Sequence, residues 1–470
     1  MQAQDVIGAP GDLPTDNGLT STNDRIVARL ERLPLTSYQH GIFAIVATAW
    51  LFDSVDLASL TFVLGSIREE FGLSTRDAGL LSSMSFIGMF LGASIAGIAA
   101  DRFGRKVVFQ ISVIFWGLGS LWCSYAPDPQ SLGYARLLLG FGMGMEFPVA
   151  LAIVCEIIPA LQRGRYTAIL EGFWPIGFIT AGLLSLVILP YWGWRGVFLL
   201  QAIPALFVFV IRRYVPESPR WLAERGRSID AEKVMGEIET KVQRRLGGAE
   251  LPSLRTRQIL PLVNGVKNSF PLFELWTSDL ARRTLMIWTV WFFALLGYYG
   301  LTTWLGALLQ ASGHTATKSV TYTLLISLGG LPGFATAAWL VEAWGRKPTC
   351  VLMLLGSAVC AYLYGHAGSL TQLIAFGLGM QFFLFGMWSA LYAYTPELYP
   401  TRARATGAGC ASAIGRVGAL IGPYAVGVVL PYLNQPGVFA LGAGSFVVAA
   451  AAVWILGKET RGLTLEEIAR

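Results

Sequence analysis

The sequence predicts an all-α membrane protein whose twelve transmembrane helices form two pseudo-symmetric six-helix bundles. Three observations predict this class: the composition, the number of long apolar segments, and a set of motifs that recurs at a constant offset. Of the 470 residues, 54% are hydrophobic and 14% are charged, whereas soluble domains carry about 25% charged residues. So little charge leaves too little polar surface for a water-soluble fold of this length.

The apolar segments predict the individual spans, because about 20 apolar residues cross the hydrocarbon layer as a helix. The predicted spans are 41–64, 77–100, 107–126, 130–155, 166–190, 196–213, 284–309, 319–341, 349–367, 370–395, 405–431 and 437–457. The predicted organisation is a polar tail at 1–34, a first bundle at 35–214, a linker with short helices at 215–283, a second bundle at 284–457 and a tail at 458–470.

Basic residues lie almost entirely on one side of this topology. Of 35 Lys and Arg, 29 fall on the side that holds the termini and the linker. Because Lys and Arg concentrate in cytoplasmic loops, both termini are expected in the cytoplasm and the protein in the cell (inner) membrane. The same distribution explains the net charge of +6 without a nucleic-acid partner.

Motifs of the first half recur 241 residues later, which predicts two six-helix halves related in parallel. Small residues four apart, such as Gly88 and Gly92, recur as Gly329 and Gly333 and would let a neighbouring helix approach closely. Charged residues at the helix ends recur too, and they are expected to pair as a latch between the halves on the cytoplasmic side. The predicted gate residues are Asp101, Arg105, Glu156 and Arg163 with their repeats Glu342, Arg346, Glu397 and Arg404.

The segment from Gly97 to Lys106 resembles the signature loop between the second and third helices of the major facilitator superfamily. Further resemblance to its sugar-porter and organic-ion branches lies in Arg136 with Gly140 and in Pro-Glu-Ser-Pro-Arg at 216–220. The resemblance covers about residues 35–460 and implies a transporter that works by alternating access.

Several ionisable residues lie inside predicted spans, where each costs roughly 2.5–3.5 kcal/mol. Resemblance to proton-coupled sugar porters implies that Asp53 and Arg136 act as a pair that binds and releases a proton. A partly dry cavity favours the protonated acid, and a nearby arginine opposes this. Asp56 is the alternative titrating group, and a static salt bridge is the simpler interpretation of the pair.

The substrate is expected to bind in the same region. Glu171 stands where sugar porters usually carry a glutamine, which disfavours a sugar. Arg416 lies in a segment that resembles the eleventh helix of organic-ion transporters, where an arginine implies an organic anion, and guanidinium pairs with carboxylate through two parallel hydrogen bonds. A partner for Glu171 or Asp56 is the structural alternative for Arg416. The aromatic residues expected to stack a flat ring are Trp174, Tyr298, Tyr299, Trp388 and Tyr392.

The resemblance extends to bacterial niacin transporters and implies proton-coupled import of a small aromatic or heterocyclic monocarboxylate, with nicotinate as the first candidate. Alternatives are a benzoate-type aromatic-acid symporter, a carrier of an organic cation held by Glu171 or Glu146, a sugar transporter, and a non-transporting receptor. No catalytic motif accompanies the three histidines, and the five cysteines show no paired spacing. No enzyme activity, no metal and no cofactor besides coupling protons are therefore expected, and the protein is expected to be a monomer.

Overall fold

The computed structural model describes residues 22–159, 162–252, 275–399 and 403–461, and helices make up most of these residues. A 3-10 turn, Ile203–Phe207, lies between two of the helices. The helices are Thr22–Glu31, Ser37–Phe71, Thr75–Phe103, Arg105–Tyr125, Pro129–Ile157, Arg163–Glu171, Phe173–Ala202, Val208–Tyr214, Pro219–Glu224, Ser228–Arg245, Ser278–Ala311, Ala316–Ser327, Gly330–Ala343, Arg346–Gly365, Leu370–Glu397 and Arg404–Leu456.

Ten stretches of the described chain are long and apolar enough to cross a membrane, and two of them are double spans. Arg163–Tyr214 has 52 residues and Thr406–Leu456 has 51. A continuous helix of that length would extend about 75–80 Å, far beyond the hydrocarbon thickness of about 30 Å. Each stretch is interrupted near its middle, at Gly193 and at Asn434, where the backbone leaves the helical conformation. The protein therefore has twelve transmembrane helices, as predicted.

The two interruptions lie 241 residues apart, the offset at which the sequence motifs recur. Gly193 has φ 63° and ψ −170°, and Asn434 has φ 53° and ψ −174°. Residues other than glycine rarely adopt this combination, so two matching occurrences are an independent mark of the repeat. The backbone thus repeats even where the residue type does not.

Small residues allow the close helix contacts that the sequence predicts. A Cβ atom at Gly88 would lie 2.1 Å from the carbonyl oxygen of Leu137, and one at Gly333 would lie 1.9 Å from that of Phe382. Neither site has room for a larger residue. The second span therefore packs directly on the fourth, and the eighth packs in the same way on the tenth.

Three helices outside the spans pack together on the side that holds the described chain ends. The N-terminal helix (Thr22–Glu31) contacts Pro219–Glu224 and the linker helix (Ser228–Arg245) through a small apolar cluster. Arg29 forms a salt bridge of 2.6 Å with Glu239. Burial works against the charge of Glu239, but hydrogen bonds from Arg29 and Arg32 hold its pKa below the ordinary value. The N-terminal helix is thereby fixed to the linker helix.

On the opposite side the two halves contact each other closely. A Cβ atom at Gly306 would lie 2.4 Å from the carbonyl oxygen of Thr61. Nearby, the amide of Gln310 donates a hydrogen bond of 2.8 Å to Glu69. These contacts join the first and seventh spans, and they close the space between the halves on the side away from the termini.

Candidate functional site

A cavity with about 620 Å³ of space unoccupied by protein atoms lies between the two halves. Its walls are mostly aromatic, with few polar groups. Six of the eight predicted substrate residues line it. The lining residues are Phe86, Met89, Phe147, Glu171, Trp174, Pro175, Trp291, Leu295, Tyr299, Phe334, Phe385, Trp388, Tyr392, Ser412, Arg416 and Ala419.

Flat rings form one wall of this cavity. Trp388 and Tyr392 come from the tenth span one turn apart and stack with centroids 5.7 Å apart at 23°. Trp291 from the seventh span packs edge-on against Tyr392 at 5.4 Å. Tyr298, a predicted substrate residue, lies behind this wall and contacts Trp388 edge-on at 5.3 Å. The seventh and tenth spans therefore present a rigid aromatic surface to the cavity.

Two opposite charges face the cavity from different halves. Glu171 belongs to the fifth span and Arg416 to the eleventh, and no salt bridge within the described part of the chain engages either. The guanidinium of Arg416 lies over the ring of Phe147, 5.2 Å from its centroid. Both polar groups are therefore available to a ligand.

Asp53 lies behind the cavity in the first span, with 1% of its surface exposed. Neither of its carboxylate oxygens has a hydrogen-bond partner among the described residues. Its electrostatic neighbours are Glu146, Asp56 and Arg416. The predicted pairing with Arg136 is not present as a salt bridge in the described chain, because Arg136 faces a different space.

Arg136 lines a second, smaller cavity with about 360 Å³ of empty space. Phe86, Trp174 and Tyr299 separate it from the first cavity. All three guanidinium nitrogens of Arg136 are buried and lack a hydrogen-bond partner in the described chain. The carboxylate that interacts with it electrostatically is that of Asp56, which accepts a hydrogen bond of 2.8 Å from Ser120.

Glu146, also a predicted substrate residue, lines neither cavity. Its carboxylate is fully buried and accepts a hydrogen bond of 3.0 Å from the indole nitrogen of Trp116. It belongs to the fourth span, whose next residue, Phe147, lines the main cavity, and it is an electrostatic neighbour of Asp53. Glu146 is therefore not among the described residues that a ligand in either cavity would contact, and its carboxylate belongs to the same buried group as Asp53.

The predicted gate residues pair within each half. Arg105 forms salt bridges with Asp101 at 3.0 Å and with Glu156 at 3.5 Å. The repeat copies this arrangement, since Arg346 pairs with Glu342 at 3.1 Å and with Glu397 at 2.9 Å. No salt bridge between the halves joins these groups among the described side chains, so the expected latch between the halves is not formed there.

The remaining two gate residues differ from each other. Arg163 pairs with Glu31 of the N-terminal helix, which also bonds Arg220 at 2.8 Å. The side chain of Arg404 lies outside the described part of the chain. Glu31 had no sequence pattern that would have identified it, because its partners come from distant segments.

Two further acids at this surface were missed by sequence reasoning. Glu217 accepts a hydrogen bond from the backbone nitrogen of Lys106, and Glu459 accepts bonds from those of Arg346 and Lys347, all at 3.0–3.2 Å. Each acid caps the N-terminus of a span. A weak clue existed, because Glu459 lies 242 residues after Glu217, one residue from the repeat offset.

A repeated helical bundle with a central cavity that carries charges and stacked rings defines a secondary transporter of the major facilitator superfamily. Residues 37–470 match the sugar (and other) transporter family, and the chain belongs to that family. It is 38% identical over 444 residues to the niacin transporter NiaP of Acinetobacter baylyi, covering 94% of this chain and 99% of that protein.

Two other proteins are similar over nearly the whole chain. The inner membrane metabolite transport protein YdjE of Escherichia coli is 32% identical, with 95% of this chain and 98% of that protein covered. Among solved structures, the inward open conformation of the xylose transporter XylE from E. coli superposes with a TM-score of 0.72 at 20% identity, covering 92% and 99%. The latter supports the fold alone.

Proposed function

We propose that this transporter imports a small aromatic or heterocyclic monocarboxylate together with a proton, and that nicotinate is the substrate. The proposal rests on the guanidinium of Arg416, which lines the same cavity as the stacked rings of Trp388 and Tyr392. An anion of planar shape fits both features, because carboxylate pairs with guanidinium and the ring stacks on aromatic side chains. The similarity to the niacin transporter of Acinetobacter baylyi supports the same substrate.

In the proposed pose the carboxylate binds Arg416 and the ring lies against Trp388 and Tyr392. Glu171, on the other wall, then faces the far edge of the ring. If Glu171 carries a proton, it donates a hydrogen bond to the pyridine nitrogen of nicotinate. Benzoate has no such nitrogen, so Glu171 would select between the two acids.

Proton coupling is proposed to act through Asp53. A buried carboxylate without hydrogen-bond partners needs either a proton or a facing cation, and Arg416 is the cation among its electrostatic neighbours. When a substrate carboxylate binds Arg416, the positive charge of the arginine is shared between two carboxylates, and Asp53 then needs a proton. Binding of the anion and of the proton would therefore favour each other. Asp56 with Arg136 forms a second pair that could take the same role.

Import follows from orientation. We infer that both termini are cytoplasmic from the distribution of Lys and Arg. The cavity would then load from the outside and release to the cytoplasm as the contacts between the first and seventh spans open and close. One nicotinate anion with one proton carries no net charge, so a pH gradient and not the membrane potential would drive accumulation.

The test is uptake of labelled nicotinate into proteoliposomes with an imposed gradient of one pH unit. A one-to-one symporter accumulates substrate up to about tenfold, since one pH unit corresponds to about 1.4 kcal/mol. Empty liposomes correct for passive entry of the neutral acid, and Asp53→Asn is expected to exchange nicotinate without accumulating it. Uptake that ignores the pH gradient would refute the coupling, and specific ligand binding without any uptake would indicate a receptor.

A benzoate-type acid is the second candidate substrate, favoured by the spacing of Asp53 and Asp56 in the first span. Competition separates the candidates. In the unmodified protein, benzoate should compete with labelled nicotinate more weakly than unlabelled nicotinate does. In Glu171→Leu the two acids should compete equally well. Choline as the stronger competitor would instead support an organic cation at Glu171, and xylose would support a sugar.

A further inference from the structure

A basic pocket with about 910 Å³ of empty space, part of it open to solvent, lies between the linker helix and the ends of the first and sixth spans. It lies on the side of the termini and is separate from both central cavities. Of the residues that the structure describes, four cations and two tyrosines line it and no carboxylate does. The lining residues are Tyr38, Arg213, Tyr214, Lys241, Arg244 and Arg245.

The cations of this pocket have no salt-bridge partner in the described chain. No salt bridge within the described chain engages Arg213, Lys241, Arg244 or Arg245. This contrasts with the neighbouring part of the linker helix, where Glu239 is bonded to two arginines. Glu237 is an acid near the pocket and interacts electrostatically with Tyr38, and it balances one charge of four. The pocket is therefore built for an anion.

Tyr38 supplies a second observation that points to a ligand. Its hydroxyl is buried and has no hydrogen-bond partner among the described residues. The ammonium of Lys241 lies 5.6 Å from the centre of its ring. A hydroxyl and an ammonium held side by side are the donors that a phosphate oxygen accepts from.

The surroundings of the pocket favour a lipid. The sixth span exposes an apolar strip of Ile203, Leu206 and Phe209, the last 65% exposed, and the strip ends at Tyr214, which lines the pocket. In a membrane this strip contacts acyl chains. The pocket thus lies at the depth of the headgroups, where basic clusters next to spans attract anionic lipids.

We propose that this pocket binds the phosphate headgroup of an anionic membrane lipid from the leaflet on the side of the termini. The acyl chains would lie along the exposed strip of the sixth span. The bound lipid would join the linker helix to the first and sixth spans through contacts with residues of all three.

Native mass spectrometry of the purified full-length protein, titrated with phosphatidylglycerol or phosphatidylcholine, tests the proposal. We expect preferential binding of phosphatidylglycerol. The triple substitution Lys241→Gln, Arg244→Gln, Arg245→Gln should weaken it by roughly 100-fold, about fivefold per charge. The matched control is Arg25→Gln, Arg165→Gln, Lys233→Gln, which removes the same charge from exposed positions outside the pocket and should change binding less than threefold.

Tyr38→Phe keeps every charge and removes only the hydroxyl, so a threefold to tenfold loss of phosphatidylglycerol affinity is expected from it. Nicotinate uptake in neutral-lipid vesicles checks that all variants are folded. Equal loss in the pocket triple and the control triple, or equal binding of the two lipids, would overturn the proposal. Binding of inorganic phosphate as tight as that of phosphatidylglycerol would assign the pocket to a soluble anion and overturn the lipid assignment.

Discussion

Replacement of Arg416 by glutamine removes the one cation among the described residues that line the main cavity. The guanidinium is partly buried and is not engaged by a salt bridge in the described chain, so its loss removes ligand contacts without breaking a salt bridge. A hydrogen bond to a charged group contributes about 1.5–3 kcal/mol. Loss of two parallel bonds to a carboxylate should therefore cost about 3–6 kcal/mol, which weakens nicotinate binding by roughly 10²–10⁴-fold.

The assay is equilibrium binding of labelled nicotinate to the purified protein, with nicotinamide as an uncharged competitor. Nicotinamide has the same ring and no carboxylate, so its affinity for Arg416→Gln should change less than about fivefold. Arg416→Lys keeps the charge but loses the bidentate geometry, and an intermediate affinity is expected.

A second variant separates binding from stability. Arg416→Gln leaves Asp53 without its facing cation, so the variant is also expected to be less thermostable. Adding Asp53→Asn removes the buried acid, and it should restore thermal stability without restoring nicotinate binding. Nicotinate affinity within threefold of the unmodified protein, or an equal loss for nicotinate and nicotinamide, would show that Arg416 does not bind the carboxylate.

Three further predictions concern the contact between the two halves, the tight turn before the third span, and the attachment of the N-terminal helix. Gly306→Trp cannot pack on the first span, where even a Cβ atom would lie 2.4 Å from a carbonyl oxygen; the variant should bind nicotinate from outside but show background uptake. Gly104→Ala places a Cβ atom on a backbone with φ 100° and 2.3 Å from the carboxylate of Glu217. The melting temperature should therefore fall by an amount corresponding to about 1–3 kcal/mol. The control Gly97→Ala, which has open space around the added atom, should leave the melting temperature unchanged. The arginine partners of Glu239 lower its pKa against the effect of burial. Its contact with the N-terminal helix should therefore persist above the ordinary carboxylate pKa of about 4.3 and be lost as the pH falls through the lowered value. The rate of proteolysis within the N-terminal helix, measured as a function of pH, tests this, and Glu239→Gln should abolish the pH dependence.

The sequence was sufficient to predict the spans and the repeat, because both depend on local patterns. Apolar length sets where a helix crosses the membrane, and motif spacing reveals the duplication. The sharp breaks at Gly193 and Asn434 fall in the gaps predicted around them. The length of each gap could not be predicted. In the structure a single residue, Gly193 or Asn434, leaves the helical conformation, and the helix continues on both sides of it.

Partners of the buried charges could not be predicted, because they depend on how spans from distant parts of the chain are rotated and displaced against each other. Asp53 has candidate arginine partners on the fourth and eleventh spans, and only the packing of these spans decides between them. The structure places Asp53 near Arg416 and leaves Arg136 beside Asp56. The gate charges illustrate the same limit, since their positions were predicted and their pairing within each half was not.

The repeat also explains how two halves with the same backbone arrangement can place opposite charges on opposite walls of the main cavity. Glu171 is the counterpart of Ser412 at the offset of 241, and Arg416 is the counterpart of Pro175, and all four residues line the same cavity. The fifth and eleventh spans therefore present equivalent backbone positions to the ligand, and only the side chains differ. A ligand that contacts Arg416 with its carboxylate and Glu171 with its ring nitrogen joins the two halves, whereas a ligand that reaches one wall does not. Since alternating access requires the halves to close around the substrate, the asymmetry that would orient the proposed substrate, nicotinate, would also make closure depend on that substrate.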